Sequence, residues 1–200
     1  MRLEGKTAFI SGAARGLGAE MARLLHSHGA NVMVTDILEE EGEKLVSAHD
    51  NMRFMRHDVL DEAQWAATMQ ATKEAFGGLD ILVNNAGIAH NATLTEETTL
   101  EQWRKVIGID LDAVFLGCKH AIGLMKQNGG SIINISSIYG IVGSAGQTPY
   151  HAAKGGVRLL TKGLAVELAQ LQYGIRVNSI HPGFVITDLV RQGLKQAVDS

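Results

Sequence analysis

The chain has 200 residues, 46% of them hydrophobic and 20% charged, with a formal net charge of -3. This length and balance suit one globular domain, 1–200, and the slight acidity argues against nucleic acid as a partner. Cys118 is the only cysteine, so no internal disulfide can form; the start Met-Arg-Leu-Glu-Gly-Lys has no signal-like apolar region, and no apolar run approaches the roughly 20 residues that span a bilayer, so a cytoplasmic protein with no membrane partner is expected.

Thr7-Ala8-Phe9-Ile10 reads as a short buried strand. It leads into Ser11-Gly12-Ala13-Ala14-Arg15-Gly16-Leu17-Gly18, after which Leu17, Met21, Leu24 and Leu25 recur at helical spacing as far as Gly29. Strand, glycine loop, helix is the context of a dinucleotide-phosphate site. Glycines let the backbone approach the pyrophosphate, and the free N–H groups of the helix start face its charge. The spacing is Gly-x-x-x-Gly-x-Gly, and a tight turn without a ligand is the competing reading. A second strand, Asn31 to Thr35, ends at Asp36. A carboxylate there can accept hydrogen bonds from ribose hydroxyls and repels a 2′-phosphate, which favours NAD over NADP. Arg15 pulls the other way, and Asp36 could also cap a helix.

Glu39 to His49 reads as a polar-faced helix, and Met52 to His57 as a third strand ending at Asp58-Val59. Asp61 is placed to cap a helix that runs to Phe76 and stops at Gly77-Gly78. Ile81-Leu82-Val83 is a fourth strand, followed by Asn84-Asn85-Ala86-Gly87, residues that would also make an ordinary turn. Thr98-x-x-Glu101 has the form of a capping box and opens one long helix to Gly129. Ser131 to Ser136 is the fifth strand, Pro149 to Leu171 the next helix, and Ile175 to Ile180 the sixth strand, ending at His181-Pro182-Gly183. This alternation predicts an α/β fold with a parallel sheet covered on both faces. The Gly12 loop, Asp36, Asp58, Asn85, Ser137 and Pro182-Gly183 all fall at strand C-termini, where such sheets bind ligands.

Tyr150 and Lys154 stand four apart and share one face of the last helix. A phenol ordinarily ionises near pH ~10, and an ammonium beside it favours the phenolate. The pair can therefore work as a general acid/base, with Ser137 as a hydroxyl at the end of the preceding strand. An exposed helical face is the bland alternative for such a pair.

Together these features resemble the short-chain dehydrogenase/reductase family, from about Lys6 to about Leu189. The motifs that carry the resemblance are Ser-Gly-Ala-Ala-Arg-Gly-Leu-Gly, Asn-Asn-Ala-Gly at 84–87, Ser137 upstream of Tyr150-x-x-x-Lys154, and Pro-Gly-x-x-x-Thr at 182–187. The resemblance implies a Rossmann-type doubly wound sheet in three layers and reversible hydride transfer between a secondary alcohol and NAD. It implies that Gly12, Arg15, Gly16, Leu17 and Gly18 hold the pyrophosphate and adenosine, and Asp36 the ribose. Asp58 and Val59 would flank the adenine, with Asn85, Ala86 and Gly87 by the nearby ribose. Tyr150 would be the acid/base, Ser137 would orient the substrate oxygen, and Lys154 would lower the tyrosine's pKa and hold the nicotinamide ribose. Val185 and Thr187 would meet the nicotinamide end. The motifs around Ser137 and Tyr150 look most like dehydrogenases of cyclic alcohols and hydroxysteroids. A pocket of Ile88, His90, Ile138, Tyr139, Ser144 and Val185 suits a small or ring-shaped alcohol or ketone.

Two departures stand out. Asp110 occupies a position where the family usually carries asparagine, so its charge would stabilise Lys154 and partly cancel the lysine's field at Tyr150. Relatives usually continue through a substrate-covering segment, which Leu189 to Val198 could begin, and a last strand; six strands are visible here, with the usual last one missing, so the chain is expected to be truncated at its C-terminus. Alternative readings are a 3-oxoacyl-carrier-protein reductase-like enzyme and a non-catalytic dinucleotide-binding protein. The helices at 99–128 and 149–171 carry wide apolar faces that commonly pair between subunits in this family, so a homo-oligomer, dimer or tetramer, is expected. No metal site is expected.

Overall fold

The computed structural model describes residues 2–89 and 92–185. Its strands are β1 (Thr7–Ser11), β2 (Asn31–Asp36), β3 (Met52–Arg56), β4 (Ile81–Asn84), β5 (Gly130–Ile135) and β6 (Ile175–Ile180). Between them run α1 (Gly16–Ser27), α2 (Glu39–Val46), α3 (Glu62–Phe76), α4 (Leu100–Ile107), α5 (Ala113–Met125) and α6 (Thr148–Gln170). The six strands form one parallel sheet in the order β3-β2-β1-β4-β5-β6.

Strand alternation builds two cores. Phe9, Met33, Leu82, Ile132 and Val177 pack with Trp65 and Met69 of α3, Val114 and Cys118 of α5, and Val157 and Leu168 of α6. Their chain neighbours Ile10, Val32, Val34 and Val83 point to the opposite face and pack with Ala19 and Ala22 of α1 and Leu45 of α2. The result is the expected three-layer Rossmann-like fold. The strand order reverses between β1 and β4, and that switch point opens a crevice at the strand C-termini.

The helix boundaries hold local surprises. Asp61 caps α3 as expected, accepting from the N–H groups of Ala63 and Gln64, and Gly77 closes it in the left-handed region (φ 87°). The capping box on α4 belongs to Thr99 and Gln102 rather than Thr98 and Glu101: Thr99 Oγ1 accepts from the Gln102 N–H at 3.1 Å, and the Gln102 side chain accepts from the Thr99 N–H at 2.8 Å. Thr98 is already committed to the preceding turn, its hydroxyl donating to the Leu94 carbonyl. The single long helix expected from Thr98 to Gly129 is two helices joined by a π-helical turn, Gly108–Asp112. The Ala113 N–H reaches back five residues to the Gly108 carbonyl, and the widened turn carries a fully buried Asp110.

Candidate active site

A cleft of about 370 Å³ lies at the switch point, lined among others by Gly12, Arg15, Gly16, Leu17, Asp36, Asp58, Val59, Asn85, Ala86, Gly87, Asp110, Ser137, Tyr150, Lys154 and Val185. Gly18 underlies the loop, and the Thr187 and His90 positions lie outside the described residues. The glycine loop is fixed by sterics. Gly12 has φ +62°, and a Cβ there would stand 2.6 Å from the Ala86 Cα; a Cβ on Gly18 would stand 2.5 Å from the Gly12 carbonyl oxygen. Asn85 secures the loop from β4, its amide donating to the carbonyls of Ser11 (3.0 Å) and Gly12 (2.7 Å). The start of α1 has no side-chain cap. Its first N–H groups therefore face the cleft without a local acceptor, which is what a pyrophosphate needs.

Asp36 ends β2 with its carboxylate turned to the loop. Oδ2 accepts from the Ala14 N–H (3.0 Å) and Oδ1 from the Leu38 N–H (3.1 Å). Each oxygen keeps a lone pair for a hydroxyl. It is not the helix cap; Leu38 holds that position on α2. Asp58 closes its own turn by accepting from the Leu60 N–H, and the Val59 carbonyl accepts from Trp65 Nε1 at 2.9 Å. These residues fit a dinucleotide: a close-approach loop, an uncapped helix start and an acceptor for ribose lie along one cleft.

At the other end of the cleft, α6 brings Tyr150 and Lys154 under the C-terminus of β5. Lys154 is 3% exposed; Nζ donates to the Ile135 carbonyl at 3.2 Å, lies 3.6 Å from Asp110 Oδ1 and sits 5.5 Å from the centre of the Tyr150 ring. Asp110 Oδ1 also accepts from the Ile88 N–H at 3.0 Å, while buried Oδ2 has no hydrogen-bond partner. Burial raises the Asp110 carboxyl above the ordinary aspartate range; the Lys154 ammonium and the Ile88 N–H oppose the shift without overcoming it. Tyr150 differs from expectation. Its hydroxyl is pushed up to about 12, first by burial and then by the Asp110 charge, with the Ser137 hydrogen bond pulling the other way. The expected lowering by Lys154 is outweighed by burial and by the Asp110 carboxylate, which lies 3.6 Å from the lysine.

The pattern matches the short-chain dehydrogenase model over residues 6–197. The chain belongs to that family. It is 47% identical, over 98% of its own length and 78% of the relative's, to trans-4-hydroxycyclohexanecarboxylate dehydrogenase of Sinomonas cyclohexanicum. It is 48% identical to 3-alpha-(or 20-beta)-hydroxysteroid dehydrogenase of Mycobacterium bovis, over 94% of this chain and 72% of that one. The crystal structure of 3-ketoacyl-(acyl-carrier-protein) reductase from Brucella melitensis complexed with NADH superposes with a TM-score of 0.92 at 32% identity, over 97% of this chain and 82% of that one.

This short-chain dehydrogenase is thus an oxidoreductase acting on CH–OH groups with a nicotinamide dinucleotide. Among the described residues, no helix is long and apolar enough to cross a membrane. Tertiary structure adds residues that the motif reading passed over. Ser136 Oγ donates to the Lys154 carbonyl at 2.8 Å and ties α6 to β5. His57 lines the cleft beside Asp58 with its ring edge-on to Trp65 at 4.4 Å. Neither has a periodic or motif signal; each is defined by a partner distant in sequence.

Proposed function

We propose that this dehydrogenase catalyses the reversible oxidation of a secondary ring alcohol to a ketone, with NAD. The observation that carries the reading is that Ser137, Tyr150 and Lys154 line one cleft with the glycine loop and the Asp36 carboxylate. When bound, the nicotinamide ring supplies the hydride chemistry. Ser137 donates a hydrogen bond to the substrate oxygen, and Tyr150 Oη takes the alcohol proton during oxidation and returns it during reduction. Lys154 holds the nicotinamide ribose and offsets the phenolate charge; Asp110 secures the lysine. Gly12, Arg15, Gly16, Leu17 and Gly18 bind the pyrophosphate, Asp58 and Val59 flank the adenine, and Asn85, Ala86 and Gly87 border the adjoining ribose. Val185 meets the nicotinamide end.

Asp36 supports NAD over NADP, since a 2′-phosphate would meet its carboxylate. The ring preference is supported by the names of the two relatives, both of which describe ring alcohols, and by the apolar residues Ile88, Ile109, Ile135 and Val185, which line the same cleft as Tyr150. Self-association through α5 and α6 is part of the same reading, because Phe115, Leu159 and Val166 are 52%, 71% and 60% exposed.

The test is formation of reduced nicotinamide from NAD+ or NADP+ with a panel of cyclic and linear secondary alcohols. The expected outcome is turnover of ring alcohols with NAD+, at least about tenfold weaker kcat/KM with NADP+, and a loss of about a hundredfold or more in kcat for Tyr150→Phe with dinucleotide binding kept. Full activity in Tyr150→Phe, or preference for NADP+, overturns the corresponding part.

A further inference from the structure

Ser137 depends on its backbone for its aim. Its Oγ accepts from the Tyr139 N–H at 3.2 Å, which closes a turn and leaves the hydroxyl proton to point into the cleft. That geometry holds only while the peptide on either side is held. Three bonds from the β6 end hold it: the Ser136 N–H donates to the Ile180 carbonyl (2.8 Å), the Ile138 N–H donates to the Pro182 carbonyl (3.0 Å), and His181 Nδ1 lies 3.0 Å from the Ser137 carbonyl oxygen. The first two are main-chain bonds that any sequence could make. The third is a side-chain bond.

Its chemistry is determined by the partners. A carbonyl oxygen only accepts, so Nδ1 carries the proton. Nε2 is then an acceptor, and it lies 2.9 Å from Ser179 Oγ, which donates to it. The Gly140 N–H, at 2.9 Å, takes the second lone pair of the Ser137 carbonyl. The described residues lining the cleft include Ser136, Ser137, Pro182 and Gly183 but not His181, so the imidazole stands behind the wall and reaches substrate only through Ser137.

We propose that His181 is a positioning residue: with its tautomer set by Ser179, it clamps the Ser137 carbonyl and thereby holds the Ser137 hydroxyl against Tyr150 and the substrate oxygen. The inference rests on the role given to Ser137 above. A small rotation of the Ser137 peptide would swing the hydroxyl out of line, a misplacement of the kind that costs rate and leaves binding intact.

The test is a kinetic cycle in the full chain: His181→Asn, His181→Gln, Ser137→Ala and the two doubles, with kcat, KM for the alcohol, and the Kd for NAD+ from protein fluorescence. An asparagine amide can occupy the Nδ1 position, whereas a glutamine amide occupies that of Nε2. His181→Gln should lower kcat about tenfold with the NAD+ Kd unchanged, and His181→Asn should recover most of it. Adding His181→Gln to Ser137→Ala should cost nothing further, since both remove one function. Equal impairment of Asn and Gln, a tenfold further drop in the double, or full kcat in His181→Gln overturns the inference. Full kcat in Ser137→Ala would instead overturn the reading of Ser137 and this inference with it.

Discussion

Asp110 and Lys154 form a buried pair whose two faces do different work. Lys154 offers its ammonium to Ile135 and Asp110, 3.2 and 3.6 Å away, so the phenol of Tyr150 meets a charge that is already partly balanced. Since Asp110 raises the tyrosine, Asp110→Asn removes a negative charge and should move the alkaline rise of alcohol oxidation to lower pH. Superimposable pH–rate profiles for the two proteins would sink this account. His57 makes an independent pH statement. Burial lowers it from 6.5 to about 4, against the pull of Asp58 and Asp61. The unfolded chain takes up this proton as the pH falls through 6.5 and the folded chain does not until about 4, so the contribution is complete above 6.5 and is lost on acidification, by up to about 3 kcal/mol. Urea unfolding at neutral pH and near pH 4.5 should show a smaller acid loss for His57→Phe, which keeps an aromatic ring against Trp65. An equal loss in both proteins would show that other groups govern acid stability.

Between elements, one polar network holds the catalytic helix to the sheet. Asn134 of β5 accepts from Asn84 Nδ2 of β4 at 2.9 Å and donates to Thr161 Oγ1 of α6 at 3.0 Å, and Cys118 of α5 donates its thiol to the same carbonyl oxygen at 3.6 Å. Asn134 is fully buried, so nothing in water can replace it. Asn134→Leu preserves volume but takes the acceptor from the Cys118 thiol, the shortest bond from Asn84 Nδ2 and the donor from Thr161 Oγ1, and should cost about 2–4 kcal/mol in urea unfolding. A change below 1 kcal/mol, on the order of one ordinary hydrogen bond, would mean that the network is not cooperative. The strands themselves were readable to within a residue because each is a short apolar run, or in β3 and β6 a segment that interleaves apolar with polar residues, bounded by turn residues. The break between α4 and α5 was not readable: its apolar spacing continues through Gly108–Asp112, and the π turn is defined by where Asp110 is buried.

At the scale of the whole molecule, the exposed apolar residues of α5 and α6 border a shallow groove lined by Leu111, Phe115, Leu116, Gly156 and Leu160. If a second copy covers it, sedimentation should find a dimer or larger species in the native protein, and Phe115→Glu should shift it toward monomer, since burying an unpaired charge is costly. A native protein that sediments as a monomer at all concentrations would end that proposal.

The sequence by itself determined the α/β class, the six strands and the strand ends at which the cleft lies, because period, glycine punctuation and strand-end position are local properties of the chain. It also carried the family. What only tertiary structure decided are the relations between groups distant in sequence: Asp110 pairing with Lys154 beside Tyr150, Asn85 anchoring the glycine loop, Thr99 rather than Thr98 capping α4, and His181 gripping Ser137 across two strand ends. The direction of the Tyr150 shift belongs with these. A Tyr-x-x-x-Lys spacing states that a cation is near, but burial and the second charge decide which way the phenol moves, and both come from packing.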